Sequence, residues 1–137
     1  MFFWLTPSTR LKSNHPNKSN CELQGDVLAV ARLAGIQGAK HTALLVPHCH
    51  NIFISGVKVD VGLDKREFAV DIRAQASTVG PTGVEMEALT AATVAALTVY
   101  DMCKAVSKGI RITQVCVSVD VPFDDGDGGR ICTLKPA

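Results

Sequence analysis

The sequence predicts an α+β fold, a single domain in which helices pack on one face of an antiparallel sheet. Three observations lead to this prediction: two segments with the apolar spacing of helices, an alternating hairpin between them, and an alternating run after the second helix. The 137 residues are enough for one hydrophobic core without disulfides or a structural metal.

The first predicted helix spans residues 26–46. Asp26 is of a residue type that caps helices, and apolar residues recur after it at steps of three and four. Gly35 and Gly38 have low helix propensity, so the segment is expected to bend or to divide into two short helices.

The predicted hairpin consists of residues 57–63 and 68–77, which alternate apolar and polar side chains on either side of the polar turn 64–67. Alternation of this kind is typical of strands with one buried face. The second predicted helix spans residues 83–106, and the strand-like run 110–117 follows it.

The second helix is mostly apolar, yet it carries charged residues near both ends. A capping box of Thr82 and Glu85 explains one of these charges. The others lie on one stripe at steps of three and four, which contains Glu87, Thr90, Val94, Leu97, Asp101 and Lys104. A second stripe is more apolar and is expected to face the sheet; it contains Met86, Leu89, Thr93, Ala96, Tyr100 and Cys103.

Asp101 and Lys104 are three residues apart, so their side chains are expected to touch. Two interpretations stay open: an exposed salt bridge at the helix end, or an acid/base couple in a half-buried cleft that shifts both pKa values. Glu87 lies about 21 Å from Asp101 along a straight helix, too far to hold the same atom of one small ligand. The two ends therefore serve different sites or meet across a symmetric oligomer, and the two usable faces of this apolar helix favour the oligomer.

His48, Cys49 and His50 follow the first helix, and the two imidazoles project to the same side if the segment is extended. A zinc site needs more ligands than His41 alone would add, and a Cys–His nucleophile is hard to form from adjacent extended residues. A polar loop with a buried thiol and a loop that contacts a polar or phosphorylated ligand are the remaining interpretations. Lys40, at the end of the first helix, is suited to bind phosphate.

The composition excludes several classes of function. A net charge of +1 supplies no global field for nucleic acid or an acidic membrane, and no apolar run reaches the roughly 20 residues of a membrane helix. The five cysteines are odd in number and form no CxxC pair, which indicates reduced thiols.

The two ends of the chain differ from its middle. Residues 1–23 are rich in serine and basic residues and nearly free of acidic ones, which is typical of an organellar transit peptide; a disordered leader is the alternative. Residues 121–137 form an acidic, glycine-rich tail. Its Asp124, Asp125 and Asp127 lack the late glutamate of a calcium-binding loop, so a solvated loop is expected.

Three motifs resemble the MoaC family, the cyclic pyranopterin monophosphate synthases of molybdenum cofactor biosynthesis. They are GDVLAVARLAGIQGAK, LVPHCH and TGVEMEALTAATVAALTVYDMCKAV, and the region that resembles a MoaC catalytic domain extends over residues 24–120. The resemblance implies an α+β sandwich of the ferredoxin-like kind. It also implies a homohexamer, a trimer of dimers, with active sites at subunit boundaries.

The resemblance further implies a reaction. The substrate is a cyclised guanosine triphosphate from a radical SAM GTP cyclase, and the products are cyclic pyranopterin monophosphate and pyrophosphate. No cofactor or bound metal is required, apart from Mg²⁺ that accompanies the triphosphate, and neither nucleic acid nor a membrane is a partner. A eukaryotic member is expected in the mitochondrial matrix, and other members in the cytoplasm.

By matching motifs, the resemblance assigns catalytic roles to Asp101, Lys104 and Lys40. It assigns substrate binding to His48, Cys49, His50, Glu85, Met86 and Glu87. The chain departs from the family where Gln24 and Asp120 stand in place of lysines, so two cations for an anionic substrate are missing. A non-catalytic structural member, or an oligomer that binds small anions or nucleotides, is therefore the alternative to the lyase.

Overall fold

The structure is a computed structural model that describes residues 4–5, 8–12, 26–79, 82–105, 109–117 and 119–120. Its strands and helices, in chain order, are β1 (Trp4–Leu5), β2 (Ser8–Lys12), α1 (Val27–Lys40), α2 (Thr42–Leu45), β3 (Ile54–Asp64), β4 (Ala69–Thr78), α3 (Glu85–Cys103), β5 (Arg111–Cys116) and β6 (Val119–Asp120). Gln24 and the acidic tail 121–137 lie outside the described residues.

Four strands form one antiparallel sheet in the order β3–β4–β2–β5, and β1 pairs with β6 in a separate two-stranded sheet. The predicted hairpin of β3 and β4 is confirmed, and its buried face brings Val59 and Val61 opposite Ala74 and Ile72. Side chains of both α1 and α3 share one core with this face. The predicted α+β layer, with helices on one face of the sheet, is therefore confirmed.

Strand β2 is the main difference from the prediction, because Ser8–Lys12 lies within the segment 1–23 that the sequence indicates as a leader. The strand is inserted between β4 and β5 and pairs with both. Five residues are too few to show a clear alternation, and the backbone partners on both sides are what make them a strand. The alternative of a disordered leader is wrong for these five residues, whereas a targeting role of residues 1–23 stays a prediction.

The first predicted helix divides in two, as one alternative predicts, but the break falls at His41. Asp26 caps α1 as expected, since its side chain accepts a hydrogen bond of 2.9 Å from the backbone N–H of Ala29. Gly35 and Gly38 therefore lie inside α1 and do not interrupt it.

The two glycines let α1 approach α3 closely. A Cβ at Gly35 would lie 2.8 Å from the carbonyl oxygen of Ala91, and a Cβ at Gly38 would lie 2.9 Å from the Cβ of Val94. Contacts this short are not tolerated in packed interiors, so only glycine fits at the crossing of the two helices.

The face of α3 that is buried differs from the predicted apolar stripe by about one residue position. Ala96 and Cys103 are buried as expected, but Met86 is exposed, and Leu89, Thr93 and Tyr100 are half-buried. The buried apolar residues of α3 are instead Ala88, Ala91, Ala92, Ala95, Ala96, Val99 and Cys103. Small side chains allow close approach of both α1 and the sheet, so burial follows size here more than hydrophobicity.

Cys103 is disulfide-bonded, so the expectation of reduced thiols is wrong for this residue. Its partner sulfur lies outside the described side chains, and Cys49 is free. Sequence spacing did not indicate the bond, because a disulfide depends on how the fold places two sulfur atoms in space. Among the described helices, none has the length and apolar character needed to cross a bilayer.

Candidate functional site

Glu87 lies in the first turn of α3 and is only 5% exposed. Burial raises the pKa of its carboxyl above the ordinary value; a hydrogen bond from its own backbone N–H opposes this, and the nearby charge of Glu85 adds to it. Among the described side chains, none is a cation paired with Glu87. A buried carboxylate without a counter-ion is costly, so this position is suited to a ligand that brings hydrogen-bond donors.

The predicted capping box at the start of α3 is wrong. Val84 occupies the N-cap position, and no side chain caps the helix there. The Glu85 carboxylate instead folds over Gly83, where a Cβ would overlap its oxygen atoms. The first turn thus presents two carboxylates and the exposed Met86 side chain. Carboxylates at this position are favoured by the partial positive charge of the helix start.

Asp101 and Lys104, at the opposite end of α3, form an ion pair with 2.5 Å between Oδ1 and Nζ. Their side chains are 70% and 55% exposed, respectively, so the half-buried cleft is absent from the single chain. The hydrogen bond and charge of Asp101 raise the pKa of Lys104. The charged stripe is therefore buried at its start, at Glu87 and Thr90, and exposed at its end.

Lys40 is the exposed last residue of α1, and the chain after it is held by side-chain bonds to helix carbonyls. His41 Nδ1 donates to the carbonyl oxygen of Gln37 at 3.0 Å, and Thr42 Oγ1 donates to that of Ala39 at 3.0 Å. Both bonds satisfy acceptors that the end of a helix leaves open. The backbone that carries Lys40 is thereby fixed, while its side chain reaches solvent.

His48, Cys49 and His50 lie in the loop between α2 and β3. The backbone N–H of Cys49 donates to the carbonyl oxygen of Val46 at 3.0 Å, which closes a turn. Both histidines are exposed, and Cys49 is half-buried. In the described part of the chain, no three His, Cys, Asp or Glu side chains lie close enough to hold a metal ion, so the zinc interpretation gains no support there.

The end of this loop is attached to the start of α3. Ile52 packs against the buried cluster of Ala76, Val84 and Ala88, and Thr78 Oγ1 donates a hydrogen bond of 2.6 Å to the carbonyl oxygen of Phe53. Because Glu87 lies beside Ala88, the loop that carries the histidines and the first turn of α3 belong to one side of the molecule.

The predicted site residues thus divide into two groups within one chain. The first group lies around the start of α3 and consists of His48, Cys49, His50, Glu85, Met86 and Glu87. Lys40 belongs near this group, because Gly38 contacts Thr90. The second group is Asp101 and Lys104, which lie about 20 Å further along the axis of α3. The structure does not bring the two groups together within a single chain.

Two buried hydroxyl groups beside the first group are absent from the sequence-based prediction. Thr42 and Thr78 have almost no exposed surface, and both donate to backbone carbonyl groups. Threonine at the end of a helix or strand is a weak signal for such a role. Threonine is also common within strands for packing reasons, so the sequence alone does not distinguish the two uses.

Comparison with known proteins places the chain among molybdenum cofactor proteins. Residues 11–120 match the model of the MoaC family. The chain is 61% identical over 108 residues to the mitochondrial cyclic pyranopterin monophosphate synthase of Arabidopsis thaliana. It is 53% identical over 107 residues to the cyclic pyranopterin monophosphate synthase of Peptoclostridium acidaminophilum, and 63% identical over 92 residues to molybdenum cofactor biosynthesis protein 1 of Drosophila melanogaster.

These relatives are longer than the region they share with the chain. The aligned segments cover 79%, 78% and 67% of this chain, respectively. They cover 40% of the Arabidopsis relative, 67% of the Peptoclostridium relative and 16% of the Drosophila relative. The shared region contains α1, the loop, the hairpin and α3, and thus both groups of predicted site residues.

Proposed function

The chain belongs to the MoaC family, and we propose that it acts as a cyclic pyranopterin monophosphate synthase in molybdenum cofactor biosynthesis. The proposed substrate is a cyclised guanosine triphosphate, and the products are cyclic pyranopterin monophosphate and pyrophosphate. The reaction is that of a phosphorus–oxygen lyase.

The single observation that supports this function best is the buried carboxylate of Glu87, which has no cation beside it among the described side chains. A guanine-derived ring presents several N–H groups along one edge. In our proposal these groups donate to Glu87 and Glu85, and Met86 contacts the ring face. Ligand N–H groups would add donors to a carboxylate that accepts a hydrogen bond from its own backbone N–H and has no cation beside it among the described side chains.

The phosphates require cations, and the candidates are Lys40 and Lys104, which are both exposed. Exposed ammonium groups on fixed helix ends are suited to contact a triphosphate as point charges. His48 and His50 add imidazole donors from the loop, with Cys49 between them. Gln24 and Asp120 stand where further lysines are expected, so these side chains carry a larger share of the phosphate contacts.

Asp101 and Lys104 are proposed as the acid/base pair. Asp101 raises the pKa of Lys104, which keeps the lysine an ammonium ion at neutral pH. A cyclic phosphate forms when a substrate hydroxyl attacks the α-phosphorus and the bond to pyrophosphate breaks. Asp101 takes the hydroxyl proton, and Lys104 neutralises the charge that develops on pyrophosphate.

The two groups of site residues lie too far apart for one ligand, so the proposal includes a homohexamer, a trimer of dimers. One subunit would supply the start of α3 and the histidine loop, and its neighbour would supply Asp101 and Lys104. Exposed apolar side chains of α1, the loop and α3 support association; they include Leu33, Leu44, Phe53 and Leu97. Assembly would also remove water from the acid/base pair, which strengthens its electrostatic action.

The proposed substrate also implies an enzyme that supplies it, a metal ion that accompanies it and a cellular compartment. A radical SAM GTP cyclase has to supply the cyclised triphosphate, and Mg²⁺ would accompany its phosphates, whereas the chain itself holds no cofactor in this proposal. The name of the Arabidopsis relative includes the mitochondrion. We therefore propose the mitochondrial matrix for a eukaryotic source and the cytoplasm for other sources.

A turnover assay tests the proposed function. Purified chain is incubated with the cyclised triphosphate, and cyclic pyranopterin monophosphate and pyrophosphate are quantified by mass spectrometry and a coupled enzyme assay. We expect both products in equal amounts. Assembly without turnover would instead indicate the structural member of the family, and binding of guanine nucleotides without conversion would indicate the anion-binding oligomer. The variant Gln24→Lys then shows whether the missing cation is responsible.

A further inference from the structure

We propose that Thr78 is a positioning residue that couples the loop carrying His48, Cys49 and His50 to the first turn of α3. The inference rests on the proposed function, since it concerns how the two substrate-binding segments are held in register. Thr78 touches no proposed substrate group; it acts through the backbone of Phe53.

Thr78 lies where the regular pairing of β3 with β4 ends. It is the last residue of β4 and is 2% exposed. The β3–β4 register shifts between Ile54 and Gly56, and the Thr78 hydroxyl donates to the carbonyl oxygen of Phe53, just before β3 begins. A side-chain hydrogen bond thus continues the strand pairing by one residue into the loop, beyond the point where the backbone ladder is irregular.

The same short stretch is held from the side of α3. Ile52 packs against a buried cluster of Ala76, Val84 and Ala88, in which Ala76 belongs to β4 and the other two flank the turn that carries Glu87. Only six residues separate Thr78 from the start of α3. The loop end is therefore attached at two adjacent points, one to the strand that leads into α3 and one to the cluster that β4 shares with the start of α3.

Loss of the hydroxyl leaves the part-buried carbonyl group of Phe53 without this donor, which favours conformations in which the loop end leaves β4. The histidine loop and the first turn of α3 would then no longer be held in fixed positions relative to each other. Asp101 and Lys104 lie at the far end of α3, so the chemical step is not directly affected. Substitution at Thr78 should accordingly raise KM and leave kcat nearly unchanged.

Three variants of the full chain separate the hydrogen bond from packing. Thr78→Val keeps the shape and removes the hydroxyl, whereas Thr78→Ser keeps the hydroxyl and removes the methyl group. Thr98→Val is the matched control, because Thr98 Oγ1 also donates to a backbone carbonyl, that of Val94 at 2.8 Å, but within α3 and away from the loop. The readouts are iodoacetamide labelling of Cys49, followed by peptide mass spectrometry, and steady-state kinetics.

We expect Thr78→Val to label at Cys49 roughly fivefold faster than the parent chain and to raise KM by a similar factor. Thr78→Ser and Thr98→Val should match the parent chain in both measurements. Equal labelling in Thr78→Val and the parent, or equally fast labelling in Thr78→Ser, overturns the proposal. If Thr78→Val does not fold, the Thr78→Ser result alone decides, since faster labelling there contradicts a role for the hydroxyl.

The labelling readout keeps this inference separate from the proposed function. A parent chain without turnover contradicts the proposed function, yet Cys49 labelling still reports whether Thr78 holds the loop. Normal turnover with unchanged labelling in Thr78→Val contradicts the coupling and leaves the proposed function intact.

Discussion

At its first turn, α3 buries Glu87 with no counter-ion among the described side chains, whereas at its last turn the same helix exposes Asp101 and Lys104 as an ion pair. The first arrangement is unfavourable for the folded chain and calls for a ligand. The second is satisfied by itself and, as an exposed pair, contributes little to stability. The stability of the folded chain therefore accounts neither for the burial of Glu87 nor for the exposed pair of Asp101 and Lys104. This is the main physical reason to propose that both ends of α3 belong to a binding site.

The comparison also supports the proposal that two subunits share the site. At the buried end, no cation among the described side chains pairs with Glu87, whereas at the exposed end the donors and the acceptor are in contact with solvent. About 21 Å of helix separates Glu87 from Asp101. A second subunit that joins unlike ends would supply each half with what it lacks.

The largest effect is expected from removal of the acid/base pair. Asp101→Ala and Lys104→Ala should each reduce kcat by about 10³-fold, because proton transfer to and from the substrate is lost. The melting temperature should change little, since both side chains are exposed. Turnover assays and thermal unfolding measure the two effects. A large loss of stability in either variant would show that the pair has a structural role.

Next in size is the recovery expected when two inactive variants are mixed. Glu87→Ala and Asp101→Ala, unfolded and refolded together, should regain about a quarter of the parent rate, because half of the random dimers are mixed and each has one intact site. A mixture of Asp101→Ala with Lys104→Ala is the matched control. Both changes lie at the same end of α3, so no recovery is expected. Recovery in neither mixture would contradict a shared site.

A smaller effect is expected at the buried end. Glu87→Gln keeps the shape and removes the charge, so KM should rise by roughly 10- to 100-fold through loss of charge-assisted hydrogen bonds. Glu85→Gln, at the more exposed neighbour, is the comparison variant and should have the weaker effect. An unchanged KM in Glu87→Gln would remove its proposed role.

The variant Glu87→Gln also tests the raised pKa of Glu87. Below the ordinary carboxyl pKa, the folded and unfolded chains are both protonated there, and the residue adds no pH dependence. Between that value and the raised pKa, the unfolded chain releases the proton and the folded chain keeps it, so the free energy of unfolding falls as pH rises. Denaturant titrations across this range should show a smaller fall in Glu87→Gln than in the parent.

The smallest effect concerns the middle of α3, where α1 covers it. Gly35→Ala should lower the free energy of unfolding by about 2 kcal/mol, because the added Cβ meets the carbonyl oxygen of Ala91 and the side chains of Ala95 and Val59. Gly62→Ala is the matched control, since nothing lies within 4 Å of a Cβ there. Urea titrations compare the two. Equal stability of both variants would show that α1 can move away from α3.

Local patterns predicted several parts of this fold correctly. The alternation on both sides of the turn at 64–67 predicted the hairpin, and Asp26 predicted the start of α1. Such features depend on neighbours in the sequence, which is why they can be read there. The buried face of α3 was displaced by about one position, since a helix rich in alanine and valine has too little contrast between its faces.

The candidate site was likewise indicated only in part by the sequence. The resemblance of the GIQGAK, LVPHCH, VEME and YDMCK segments to the MoaC family named all nine site residues, and the family is confirmed; their roles stay predictions. The described part of the chain forms no half-buried cleft at Asp101 and Lys104, because exposure depends on which segments pack there, and spacing along one helix does not contain that information. The sequence did not indicate the hydrogen bond of Thr78, because its partner is a backbone carbonyl 25 residues away.

By itself, the sequence determined the family, the hairpin, the long helix and the identity of the charged side chains, since these depend on residue type and near neighbours. Only the tertiary structure decided that Ser8–Lys12 lies inside the sheet, that Glu87 is buried while Asp101 is exposed, and that the Thr78 hydroxyl donates to the carbonyl oxygen of Phe53. Burial and long-range hydrogen bonds are properties of the packed chain. They arise where segments distant in sequence meet, and no local pattern contains that information.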